Sequence, residues 1–111
     1  MYPLVYHRSL TTEKWFSYPR HQQLLMIANE LNRFRNALQK QDKENAIHAL
    51  ERAFELTDLT TSDPKNPSIL KELLRFREML GELFNQPDIQ KNKILMDTLV
   101  TLNSTAYIMM H

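Results

Sequence analysis

Between Leu24 and Leu102 apolar residues recur every three or four positions in four successive runs, with polar breaks between the runs. Leu24, Ile27, Ala28, Leu31, Phe34 and Leu38 fall on one stripe of a 3.6-residue helix. That stripe predicts a first long helix over 19–41, with Pro19 in the opening turn, where a missing N–H costs nothing. Asp42 is placed to cap a second helix over 43–58, whose inward face is Ile47, Leu50, Ala53, Phe54 and Thr57. Two prolines and a run of hydroxyl side chains predict a loop over 60–67. Ser68 then reads as the cap of a third helix over 67–85, with Ile69, Leu73, Phe76, Leu80, Leu83 and Phe84 inward. Asn85-Gln86-Pro87-Asp88 ends it. A fourth helix follows to near the C-terminus, with Leu95, Leu99, Leu102, Ala106 and Met109 inward and Asp97, Thr101, Ser104 and Thr105 outward.

The expected fold is all-α: a four-helix bundle over 19–111, a single domain built from two αα-hairpins. An aromatic-rich N-terminal arm, residues 1–18, precedes it, extended or carrying a short helical turn through Glu13–Phe16 capped by Thr11 or Thr12. The hairpin reading has internal support. Residues 30–38 (ELNRFRNAL) and 72–80 (ELLRFREML) are identical at six of nine positions, at an offset of 42. At the same offset Ile27 meets Ile69 and Ile47 meets Ile89. Two repeats are too few for a solenoid, so two hairpins closing on each other fit better. Ala46, Leu50 and Ala53 resemble the second helix of a tetratricopeptide repeat, but the first helix lacks that repeat's Trp, Leu-Gly and Tyr positions, so no family follows.

Composition narrows the chemistry. Gly81 is the only glycine in 111 residues, which rules out a glycine-rich phosphate loop or dinucleotide fingerprint. With no cysteine there is no disulfide framework, thiol catalysis or cysteine zinc site. The opening MYPLVYHRSLTTEKWF has no continuous apolar run and predicts no secretory signal. The stretch 94–110 is too short and carries Asp97 and Asn103, so no membrane span is expected and a cytoplasmic location is. Net charge is +1, but residues 1–41 hold six Lys or Arg against two acids, while 42–63 hold two against six. That asymmetry, a basic first helix beside an acidic second one, predicts electrostatic pairing within a hairpin or between subunits.

Metal and catalytic constellations are sparse. His48 has Glu44 and Glu51 one turn either side, but a di-metal carboxylate bundle needs Glu-x-x-His on two helices and this chain has none. Helical-bundle nucleases of the HEPN kind place a His four to six residues after an Arg, and none of His7, His21, His48 or His111 is so placed. No catalytic residue, metal or cofactor is therefore assigned, and a non-enzymatic module acting through protein–protein contacts is expected, with a homodimer as the expected assembly. Its candidate interface comprises Tyr2, Tyr6, Trp15, Phe16 and Tyr18 in the arm, with Tyr107, Met109 and Met110 at the apolar end of the fourth helix. The alternative is a nucleic-acid accessory protein using Arg33, Arg35, Arg75 and Arg77. Residues two apart lie about 200° round a helix and make no single phosphate-binding face, which weighs against it.

Overall fold

The computed structural model describes residues 11–110, with side chains placed through Leu102. The helices are α1 (Thr12–Ser17), α2 (Arg20–Gln39), α3 (Lys43–Thr61), α4 (Leu70–Asn85) and α5 (Ile89–Met110), with a single 3₁₀ turn, Pro67–Ile69, leading into α4. No strand occurs among the described residues. Helices α2 to α5 form a bundle in which α2 packs on α3 and α5, α3 on α4, and α4, least extensively, on α5. Neighbours run antiparallel: Gln23 and Glu30 on α2 meet Asp63, just beyond α3, and Arg52, and Phe54 and Asp58 on α3 meet Phe84 and Arg77 on α4. The core between them holds Leu24, Ile27, Leu31 and Phe34 of α2 and Leu50, Ala53, Leu56 and Leu59 of α3. Leu73, Phe76, Leu80 and Leu83 of α4 and Leu95, Leu99 and Leu102 of α5 complete it. Each fully buried Leu or Phe contributes about 1.5–3 kcal/mol.

Local chemistry explains where the helices start. Thr11 accepts a hydrogen bond from the Lys14 N–H at 3.0 Å and caps α1. Asp42 accepts from the Asn45 N–H at 3.2 Å and caps α3. Asp88 accepts from the Gln90 N–H at 2.7 Å and opens α5. Pro19 stands one position before α2 as its N-cap, not inside its first turn, and its carbonyl accepts from the Gln22 and Gln23 N–H groups. Ser68 does not cap α4; its hydroxyl accepts from Arg20 at 3.3 Å, and the 3₁₀ turn makes the entry instead.

The helix ends depart further from the pattern. The α2–α3 connection is a Schellman turn: the Asp42 N–H reaches the Ala37 carbonyl at 2.8 Å and the Gln41 N–H reaches Leu38 at 3.0 Å. Gln41 sits there at φ 59°, where glycine is the usual residue. Helix α3 runs three residues past the expected end. Thr57, Thr60 and Thr61 donate their hydroxyls to the carbonyls of Ala53, Leu56 and Asp58, so β-branched residues are held within the helix.

Burial repeats between the two similar segments. Ile27 and Ile69, Leu31 and Leu73, and Phe34 and Phe76 are all buried, while Ile47 and Ile89 are both exposed. Ile47 and Phe84, assigned inward by periodicity, are thus corrected: each lies at the edge of its stripe and is 48% and 41% exposed. Symmetry fails at Glu30, which is buried, against Glu72, which is exposed. One ion pair between α2 and α3 joins the acid Glu30 of α2 to Arg52 of α3 at 2.8 Å, opposite in sense to the net charges of the two segments.

Candidate interaction surface

The arm residues within the described chain fold against their own bundle. Trp15 is wholly buried, and its indole N–H donates to the Thr60 hydroxyl at 3.2 Å. Tyr18 sits edge-on to it at 5.8 Å and, like Phe16, is half-buried. Trp15 is therefore a core residue and is removed from the candidate interface. Tyr2 and Tyr6 lie outside the described residues, as do the side chains of Tyr107, Met109 and Met110, although the α5 backbone extends to Met110.

Behind Trp15 lies a buried polar clasp that periodicity could not reveal. The Gln23 amide donates to the Trp15 carbonyl at 2.9 Å and to Asp63 Oδ2 at 2.8 Å. The Asn66 amide donates to Gln23 Oε1 and to the Thr60 carbonyl, both at 3.1 Å, and its oxygen accepts from Arg20 Nε at 2.8 Å. Lys65 donates through its ammonium to Asp63 and to the Phe16 carbonyl. Gln23, Thr60 and Asn66 are almost fully inaccessible, so each bond is made in a medium where leaving it unmade costs about 1–3 kcal/mol. The clasp ties α1, the start of α2 and the 62–67 loop into one unit. The only sequence signal for it was the loop's Asx- and Pro-rich composition.

Burial alone would raise the Asp63 pKa, but the Lys65 backbone N–H, the Lys65 ammonium and the Gln23 amide outweigh it and hold it below its ordinary 3.8. A carboxyl group lowered on folding stabilises the fold above its unfolded pKa and loses that contribution as pH falls through the folded value. Stability is therefore expected to hold down to about pH 4 and to decline below it. Asp63→Asn should be less stable than the wild type near pH 7, with the difference shrinking below pH 4. Urea unfolding from pH 7 to pH 2.5 measures both, and a difference that does not change with pH would contradict the assignment.

The four arginines are not brought together. Arg33 donates to Glu30 of its own helix at 2.7 Å. Arg35 donates to the Asn32 side chain at 2.6 Å, and its Nε is buried without a hydrogen bond among the described residues. Arg77 pairs with Asp58 at 2.6 Å and lies over the Phe54 ring, 5.4 Å from its centre. Arg75 is exposed on α4. Arg33 and Arg35 are thus committed to partners on α2 and Arg77 to one on α3, so these three do not share a single cationic face.

The seam between α2 and α5 differs from the rest of the surface. Leu24, Leu25, Ala28, Leu99 and Val100 line a shallow apolar groove there. Leu25 and Val100 stand at its rims, 58% and 63% exposed. Gln22, Asn29 and Asn32 continue the α2 side, all amides and none charged. Further along the seam the buried Asn92 amide donates to the Leu31 carbonyl at 3.1 Å, and its Oδ1 has no hydrogen bond among the described residues. On the far side of α5 a more open depression of about 340 Å³ is lined by Glu72, Ile94, Asp97, Thr98, Thr101 and Leu102. Among the described residues no cluster of three or more His, Asp or Glu is placed to hold a metal, and no helix is long and apolar enough to cross a membrane. Comparison of the chain with protein-family models, with curated proteins and with solved structures returned no match.

Proposed function

We propose that this chain is a non-enzymatic interaction module of the cytoplasm that self-associates as a homodimer, its bundle assembled from two αα-hairpins, α2–α3 and α4–α5, behind the N-terminal aromatic segment. The reading rests on the α2–α5 groove, where Leu25 and Val100 leave large apolar side chains in water beside an apolar floor. The occupant proposed is the same groove of a second copy. Across a two-fold axis a patch meets itself, so any charge at its centre faces its like. The amide side chains of Gln22, Asn29 and Asn32 avoid that repulsion while offering both donors and acceptors.

Light scattering and sedimentation at micromolar concentration should give twice the 13.2 kDa chain mass. Leu25→Glu and Val100→Glu should each weaken association at least about tenfold, which is about 1.4 kcal/mol, with helical circular dichroism unchanged because neither side chain is part of the core. A wild-type chain that sediments as a monomer of 13.2 kDa overturns the proposal.

A further inference from the structure

The depression between α4 and α5 shares no residue with the groove that holds Leu25 and Val100. Ile94, Asp97 and Thr101 stand three and four residues apart on α5, so that bank runs about 10 Å, two turns of helix. Glu72 supplies the α4 bank. The apolar part is Ile94, 53% exposed, together with the nearly buried Leu102. The polar groups around it have one character. Thr98 donates its hydroxyl to the Ile94 carbonyl at 2.8 Å, and Thr101 donates to the Asp97 carbonyl at 3.0 Å. Their donors are spent within α5, and the carboxylates of Glu72 and Asp97 can only accept. The depression thus offers acceptors and negative charge beside an apolar surface, and no free side-chain donor. Among the described residues neither carboxylate is in an ion pair. Arg75, one turn beyond Glu72, is exposed and pairs with neither.

We infer that this depression docks a basic amphipathic helix of another protein. An apolar side chain of that helix lies against Ile94 and Leu102, and its Lys or Arg residues reach Glu72 and Asp97. Apolar anchors with cations one turn to either side suit a seam two turns long. Charge selects this occupant over the others. A nucleic-acid strand would bring phosphates against two carboxylates. A second copy laid two-fold on the seam would set an acidic patch against itself. A neutral apolar segment would cover the carboxylates without pairing them. Paired at the rim, the two acids steer the approach of a basic partner and fix its register. This inference is independent of the self-association proposed above.

The probe is a short fluorescein-labelled helical peptide of Ala, Leu and Lys, with a leucine stripe flanked by lysines. A second peptide carries Glu at every Lys position. The lysine peptide should bind at low salt, weaken as salt rises, and shift the amide resonances of residues 94–101. The Glu72→Gln, Asp97→Asn double variant should weaken binding about tenfold, and Ile94→Asp by at least as much, with helical circular dichroism unchanged. Glu44→Gln, on α3, should leave binding as it was. No binding of the lysine peptide, equal binding of the glutamate peptide, or equal losses from Glu44→Gln and the double variant overturn the inference. Ile94→Asp should also leave the mass seen by light scattering unchanged. A fall in that mass would make a second copy the occupant and overturn the inference as well. A wild-type monomer that binds the lysine peptide through this seam would overturn the homodimer alone.

Discussion

Trp15→Ala is expected to cost about 3–5 kcal/mol of folding free energy, the largest single loss from the N-terminal helix. Trp15 is fully buried and joins α1 to α3 through its indole N–H. Alanine would leave a cavity between them and give up the hydrogen bond to Thr60. Against a total of about 5–15 kcal/mol for a domain of this size, that is a large share. The thermal midpoint followed by circular dichroism should fall on the order of 15 °C. Trp15→Phe, which keeps most of the volume and loses the N–H, should cost less, and Tyr18→Ala, at a half-buried site, less again. An unchanged midpoint for Trp15→Ala, together with weakened association, would mean that Trp15 meets a partner and not its own core.

The clasp is expected to give the second large effect. Gln23→Ala removes two donated bonds and one accepted bond, leaving the Trp15 carbonyl, Asp63 and the Asn66 amide short of a partner in a region closed to water. Asn66→Ala does the same to Gln23 Oε1, the Thr60 carbonyl and Arg20. Each substitution should cost about 2–4 kcal/mol, well above the 0.5–1.5 kcal/mol net worth of a single hydrogen bond, because unpaired buried groups remain behind. The two residues share a hydrogen bond, so the double variant should cost less than the sum of the single ones by about 1 kcal/mol or more. Urea unfolding measures the energies, and hydrogen exchange of the 62–67 amides should rise in both single variants. Additive costs, or unchanged exchange in the loop, would show that the clasp does not act as a unit.

Much of the bundle was written in the chain. The stripe from Leu24 to Phe34 and its counterpart from Ile69 to Leu83 set two helices, because apolar residues at 3.6-residue spacing can leave water together only as a helix face. Asp42 as a cap was legible for a similar reason, since its short carboxylate reaches the first N–H groups of a helix and little else. Edge positions were not legible. Ile47 and Phe84 fall within the angular width of an apolar stripe, and only the placement of the neighbouring helix leaves them in water. The left-handed turn at Gln41 escaped because glycine, the usual signal, is absent there.

The candidate site was read less well, and Trp15 shows why. An aromatic residue beside the predicted bundle has the same local sequence whether it anchors a partner or fills a gap in its own core. Individual ion pairs were not legible either. Net charge per segment pointed to a basic first helix meeting an acidic second one, but an ion pair depends on which two side chains share a seam, and Glu30 and Arg52 do. By itself the sequence determined an all-helical chain, the number and approximate limits of its long helices, and the exclusion of cysteine and glycine-loop chemistry. These follow from residue type and spacing, which act locally. Tertiary structure alone decided that Trp15 is core, that Gln23, Asp63 and Asn66 close a clasp 40 residues apart in the chain, and that Leu25 and Val100 are left in water. Those outcomes depend on how whole helices pack, and no local spacing encodes the identity of the surface that lies opposite.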